Sequence, residues 1–175
     1  MELPSADASS AEGSLEQRYE QHGRVVYQHL VLIGLDRPAA EDVLQETFLR
    51  LHSEMAKGRQ IQSPRWWLLK VSTNLGLNYL RDSRARGEIQ GAPAAEILGR
   101  SVATGSSAEQ LVLNAERDLN LIRAMDQLSP QQRVCLHLRA EGMRYREIAE
   151  ALNVSVSTVE EFLGRAITRL QRNLR

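Results

Sequence analysis

The feature that most constrains this chain is the run of punctuated helical periods from Leu128 to Leu174. Ser129 is a good N-cap, Pro130 suits the first helical position, and Gln132 is placed to close a capping box back onto Ser129. Val134, Cys135, Leu138 and Ala140 supply an apolar side before Gly142 stops the helix. A second helix over Tyr145 to Leu152 follows, with Ile148, Ala149 and Leu152 as its stripe. Asn153 suits a left-handed turn, Val154 plugs the core beneath it, and Ser155 caps a third helix. That helix carries Val159, Leu163, Ala166, Ile167, Leu170 and Leu174 on one face. Every spacing follows the helical period and not the strand period. Helix, tight polar turn and helix, with small Ala149 at the close approach, form the pattern of a helix-turn-helix. A plain three-helix bundle with short connections has the same pattern.

Composition narrows the class. The 22 basic and 22 acidic residues cancel, so net charge gives DNA binding no support and any basic footprint is local. A single cysteine, Cys135, excludes an internal disulfide framework and reads as a buried structural thiol. The histidines His22, His29, His52 and His137 lack metal-ligand spacing and read as surface or core residues. No apolar run reaches the roughly 18–20 residues that span a bilayer, and the start MELPSADASSAEGS has neither the basic end nor the apolar core of a secretory signal. These readings predict a cytoplasmic protein without membrane insertion. No Gly-rich phosphate loop, internal repeat or catalytic constellation appears, so neither a catalytic residue nor a cofactor or metal is expected.

Upstream, residues 1–14 are polar, small and acidic, and are predicted to form a disordered arm. Leu15, Tyr19, Val26, Leu30 and Ile33 mark a helix that ends at Gly34 and Asp36-Arg37-Pro38. The next helix, from about Ala39 to Met55, turns Leu44, Phe48, Leu51 and Met55 to a core and presents Glu41, Asp42, Gln45, Glu46 and Arg50 on the other side. By composition that side is a solvated amphipathic face. After the loop KGRQIQS, Pro64 starts a helix on which Trp67, Val71, Asn74, Leu75 and Asn78 lie close in projection, so that one side is apolar and the adjoining side carries amides, ending in Arg81, Arg84 and Arg86. Amides, an aromatic and arginines along one helix suit melted DNA: bases stack, amides read base edges, arginines hold phosphates. A core helix with a solvated basic end has the same chemistry. Residues 87–107 are rich in Gly, Ala and Ser and read as a linker. From Ala108 a helical pattern resumes through Leu111, Leu113, Ala115, Leu119, Ile122 and Met125.

Three segments resemble bacterial RNA polymerase sigma factors of the extracytoplasmic-function group. AEDVLQETFLRLH is similar to that family's polymerase-binding helix, commonly AEDVVQETFLRL. Trp67-Leu68, Val71, Asn74, Tyr79-Leu80 and Arg81 match its WLxxIAxNxxxDxLR form, with Asn78 where many members have Asp. Leu128-Ser129-Pro130, Gln132-Arg133, Gly142, Tyr145, Glu147-Ile148-Ala149, Leu152, Val154-Ser155, Thr158-Val159, Leu163 and Arg165-Ala166 match its promoter-reading domain. LuxR-type response regulators have a similar helix-turn-helix, so that half alone does not settle the family.

The resemblance implies an all-α chain of two small helical domains joined by a flexible linker: a sigma region 2-like bundle at 15–86, the linker at 87–107, and a region 4-like helix-turn-helix at 108–175. It implies core RNA polymerase, promoter DNA and an anti-sigma factor as partners. Carried over by position, Glu41, Asp42, Gln45, Glu46 and Leu49 meet core polymerase. Arg65, Trp67, Lys70, Asn74, Asn78, Arg81, Arg84 and Arg86 meet the proximal promoter element, with Asn74 and Asn78 facing a flipped base. Arg144, Tyr145, Ser155, Ser157, Thr158, Glu161 and Arg165 meet the distal element. One departure stands out. Where the family continues TVKSRLxRAR, this chain has Glu160, Glu161 and Phe162, and Ile167 replaces the last Arg. Carboxylates in the first turn favour the helix dipole but oppose phosphate, although a Glu can accept a hydrogen bond from cytosine. Two rival readings are a helix-turn-helix regulator that acts without polymerase and a sigma-like adaptor whose acidic last helix binds protein.

Overall fold

Helix α1, Leu15–Ile33, begins where the Ser14 hydroxyl accepts from the Gln17 amide, and ends at Gly34, whose φ of 113° lets the chain reverse. The computed structural model describes residues 14–88 and 123–173, and its regular elements there are all helices. The predicted N-terminal arm, all but the first two linker residues, and the helical pattern from Ala108 to Ile122 lie outside the described residues, as does Leu174.

Asp36 caps α2, Arg37–Ala56, accepting from the Ala39 amide at 3.0 Å, with Pro38 in the first turn. The helix therefore starts two residues before the predicted Ala39. Pro64 opens α3, Pro64–Ala85. These three helices pack on one another around Val26, Leu30, Ile33, Leu35, Leu44, Phe48, Leu51, Leu68 and Leu69. The side of α3 turned inward differs from the sequence expectation. Leu68, Leu69, Ser72, Thr73, Gly76, Leu80 and Ser83 are buried, while Trp67, Val71 and Leu75 are only half-buried. The reason is the closeness of α1. A Cβ on Gly76 would lie 2.7 Å from Ile33 Cδ1, so only small residues fit along that seam.

The second lobe is built as its capping signals predict. After a helical turn at 123–126, α4, Pro130–Ala140, opens with a complete capping box: the Gln132 amide donates to Ser129 Oγ at 3.2 Å and the Ser129 amide to Gln132 Oε1 at 2.9 Å. Helix α5, Tyr145–Leu152, ends at Asn153 in the left-handed conformation, φ 54° and ψ 47°. Helix α6, Val156–Asn173, follows at once, with Ser155 Oγ accepting from the Thr158 amide at 3.1 Å. Val134, Cys135, Leu138, Ile148, Ala149, Val159 and Leu163 close the core between them.

The lobes do not stand apart. Helix α1 packs on α4, and α3 packs on α5 and α4, so the buried apolar residues of both lobes form one continuous core.

Candidate polymerase- and DNA-binding surfaces

Helix α2 divides cleanly. Val43, Leu44, Thr47, Phe48 and Leu51 are buried, and Glu41, Asp42, Gln45 and Glu46 are exposed. Leu49 is 55% exposed on that outer face. Arg37 pairs with Glu41 at 2.9 Å and Arg50 with Glu46 at 2.7 Å, while Asp42 has no ion pair among the described residues. Leu15 and Tyr19 of α1 join Glu41, Leu44, Gln45, Phe48 and Leu49 around a cleft of about 330 Å³. No signal in the sequence marks the share of α1 in this cleft. The helical period puts Tyr19 on the core side, whereas its ring lies half out, 4.8 Å from that of Phe48.

On α3, at about 100° per residue, Trp67, Lys70, Asn74, Asn78, Arg81 and Arg84 fall within one third of the helix circumference. Asn74, Asn78, Arg81 and Arg84 are exposed, and Trp67 and Lys70 half-exposed. The Asn74 amide donates to the Lys70 carbonyl at 3.0 Å. Arg65 and Arg86 stand away from this stripe, at the two ends of the helix. Arg86 is held by Glu88 at 2.8 Å, and Arg81 pairs with Asp82 at 3.3 Å. Arg65 and Lys70 turn to the second lobe: Arg65 forms an ion pair with Glu141, and Lys70 lies 4.0 Å from Glu150 and 4.7 Å from the centre of the Trp66 ring. No periodicity in the sequence marks Glu141 or Glu150 as partners of α3.

In the helix-turn-helix, Arg144 and Tyr145 begin α5 on its exposed side, with the Arg139 guanidinium 5.8 Å from the Tyr145 ring centre and the Arg144 amide donating to Glu147 at 2.7 Å. Ser155, Ser157 and Thr158 gather at the start of α6, the Ser155 hydroxyl 2.8 Å from each of the other two. Glu161 and Arg165 project outward one turn apart and form an ion pair, so the outer face of α6 partly neutralises itself.

Between the lobes the His29 and His137 rings stack, centroids 4.9 Å apart and 28° from parallel. His29 Nε2 is hydrogen-bonded to Thr73 Oγ1 at 2.7 Å. Burial, then the neighbouring His137, holds His29 well below the usual histidine range, and burial with Arg65 brings His137 down to about 4. Burial pushes the Cys135 thiol up to about 12.

A helical bundle with an acidic, amide-bearing outer helix, followed by a helix-turn-helix, has the build of a transcription-initiation factor. Residues 18–86 match the family model for sigma-70 region 2, and residues 118–170 that for sigma-70, region 4. The chain belongs to the sigma-70 family of RNA polymerase sigma factors, within the extracytoplasmic-function (ECF) group. It is 30% identical to the ECF RNA polymerase sigma factor SigE of Mycolicibacterium smegmatis over 90% of this chain and 60% of that protein. It is 29% identical to ECF RNA polymerase sigma factor SigL of Mycobacterium tuberculosis over 95% of this chain and 93% of that one. Against SigE it thus spans under two thirds of the relative's length. The sigma factor RpoE of Bartonella quintana, solved in complex with the anti-sigma factor NepR, shares the fold, with a TM-score of 0.68 and 20% identity over 91% of this chain and 95% of that one.

Proposed function

We propose that this protein is a promoter-specificity subunit: it binds core RNA polymerase, directs it to a class of promoters and helps to open the DNA. It has no chemistry of its own, and it works in the bacterial cytoplasm where polymerase and DNA are. The observation that carries the reading is the order of the surfaces. The exposed Glu41, Asp42, Gln45, Glu46 and Leu49 of α2 stand within sigma region 2, ahead of the amide stripe of α3 and the helix-turn-helix. Helix α2 docks on polymerase, Leu49 and the cleft beside it supplying apolar contact and the acids a charged rim. Trp67, Lys70, Asn74, Asn78 and Arg81 then meet melted DNA, with Arg65, Arg84 and Arg86 on flanking phosphates. Arg144, Tyr145, Ser155, Ser157, Thr158, Glu161 and Arg165 face the distal element. The names of the relatives support this reading, and an anti-sigma partner is part of it. No helix among the described residues is long and apolar enough to cross a membrane.

The test is charge reversal on α2. Asp42→Lys with Glu46→Lys should weaken capture of core polymerase, more so at low salt, because rim charges act on association. The helical circular dichroism should stay unchanged. Capture and run-off transcription equal to wild type would overturn the assignment. Specific binding of promoter duplex by the free chain, with no requirement for core polymerase, would favour the independent regulator.

A further inference from the structure

We infer that the helix-turn-helix lobe holds the distal promoter duplex by its phosphate backbone and reads no base in it, so that the promoters this protein serves are defined by the proximal element alone. The inference rests on the sigma reading above and deepens it by naming the class of promoter.

Reading a base edge in the major groove takes a side chain whose donors and acceptors are free to leave the helix. The outer line of α6 is poor in them. At about 100° per residue, Ser157, Glu161, Gly164 and Thr168 stand in one row, opposite the buried Val159, Leu163 and Ala166, with Arg165 beside the row; the row and Arg165 are exposed. Each polar side chain there is engaged within the helix or its cap. Ser157 and Thr158 both meet the Ser155 hydroxyl at 2.8 Å. Glu161 and Arg165 pair with each other. The Thr168 hydroxyl donates to the Gly164 carbonyl at 2.9 Å. Gly164, in the middle of the row, has no side chain to send. A Cβ there would meet nothing within 4 Å, so, unlike Gly76, this glycine is not required by packing.

These bonds alone do not decide the matter, because an exposed ion pair is weak and opens readily. Charge decides it. Sending either Glu161 or Arg165 to a base strips a carboxylate of its cation in a groove walled by phosphates, with Glu160 exposed one residue away. Phosphate contacts ask for less. The hydroxyls at the start of α6 and the exposed Arg144 before α5 can donate to phosphate oxygens, which positions a duplex without specifying its sequence. Helix α3 differs in kind. The bond from Asn74 to the Lys70 carbonyl uses one donor of its amide and none of its acceptor capacity, and Asn78, one turn on, is exposed.

The experiment is selection from a template library. Duplexes randomised upstream of a fixed transcribed tag are transcribed by core polymerase with the full chain, and the templates that yield transcript are sequenced. Bases should be enriched in the block nearest the start, where the strands melt. In the duplex block farther upstream no base should be enriched by as much as about five-fold, the least that a read base pair gives. Enrichment beyond that, of cytosine or guanine above all, overturns the inference. Cutting a selected template short of the upstream block should lower the yield of transcript, because the backbone contacts go with it; an undiminished yield overturns the inference too. Glu161→Ala leaves the Arg165 fork free, and guanine should then be enriched at an upstream position. An upstream block still without preference overturns the role given to the ion pair. If wild type gives no transcript beyond that of core polymerase alone, the sigma reading itself falls. Transcripts with an upstream preference remove only the present inference and leave that reading standing.

Discussion

Gly76 shows how a single residue sets the geometry of the first lobe. It sits inside α3 with no turn to make, where glycine costs helix stability of about 0.5–1 kcal/mol relative to alanine. Its value lies in what it lacks. A Cβ there would meet Ile33 Cδ1 at 2.7 Å and Leu30 Cδ2 at 3.1 Å, and both neighbours are fully buried. Gly76→Ala therefore gains helix propensity and loses packing, and overpacking a buried seam costs about 1–3 kcal/mol. The loss should win if the terminal methyls of Ile33 and Leu30, both fully buried, cannot turn aside without crowding the core. Urea unfolding should show a net destabilisation of roughly 1–2 kcal/mol; a variant as stable as wild type would mean that the seam has room to spare. Thr73 acts one turn earlier on the same seam, its hydroxyl holding the ring of His29.

At the level of elements, legibility follows the type of signal. The caps at Ser129, Gly142, Asn153 and Ser155 act locally, so the limits of α4, α5 and α6 are readable from the residues. So is the split of α2, whose buried residues are large and whose outer residues are charged. Helix α3 reads wrongly because its inner face is made of Ser72, Thr73, Gly76 and Ser83, which a hydrophobic pattern does not count, while its tryptophans stand at the margin. The same locality limits the reading of function on α6. Its sequence shows Glu160 and Glu161 where the family has a cation and a small polar residue, but not that Glu161 would pair with Arg165. The pairing makes the consequence sharper: the helix presents to phosphate a carboxylate at 160 and a guanidinium already engaged. Glu160→Lys with Glu161→Ser releases Arg165 and removes both repulsions. Affinity for duplex DNA should rise, and its fall with salt should steepen by about one unit of slope for each further phosphate that the helix neutralises. Binding isotherms over a salt series check this on promoter and non-promoter DNA. Lost discrimination without a rise in affinity would instead assign the glutamates to base reading, and loss of a protein complex alone would favour the adaptor.

In the whole molecule, the packing of lobe on lobe is the least legible feature. It depends on residues far apart in sequence, His29 against His137, Arg65 against Glu141 and Lys70 against Glu150, none of which breaks a local pattern. The histidine stack also gives the closed form a pH dependence of definite sign. His29 faces the Thr73 hydroxyl and His137; His137 faces His29, Arg65, and Glu141 at 3.9 Å. Glu141 favours a charged His137, but Arg65 lies on the same carboxylate, and burial dominates. Both rings are thus neutral when closed, with His137 titrating at about 4 and His29 also well below its ordinary 6.5. Separating α1 from α4 bares the stacked face of His137 to water and moves its proton affinity back toward the ordinary value, while His29 keeps its bond to Thr73. A group with a depressed folded pKa leaves the closed form at full strength above about pH 6.5 and weakens it as pH falls toward 4, since the open form then binds the extra proton. For His137 the loss at pH 5 is about 2 kcal/mol, from ~1.4 kcal/mol per unit below 6.5. Small-angle scattering of the free chain should therefore show the radius of gyration growing between pH 7.5 and pH 5. His137→Phe keeps an aromatic ring against His29 without a titrating nitrogen, and should grow less over the same interval. A wild-type radius constant across that range, or a His137→Phe chain expanding just as much, would remove the stack from any part in holding the lobes together.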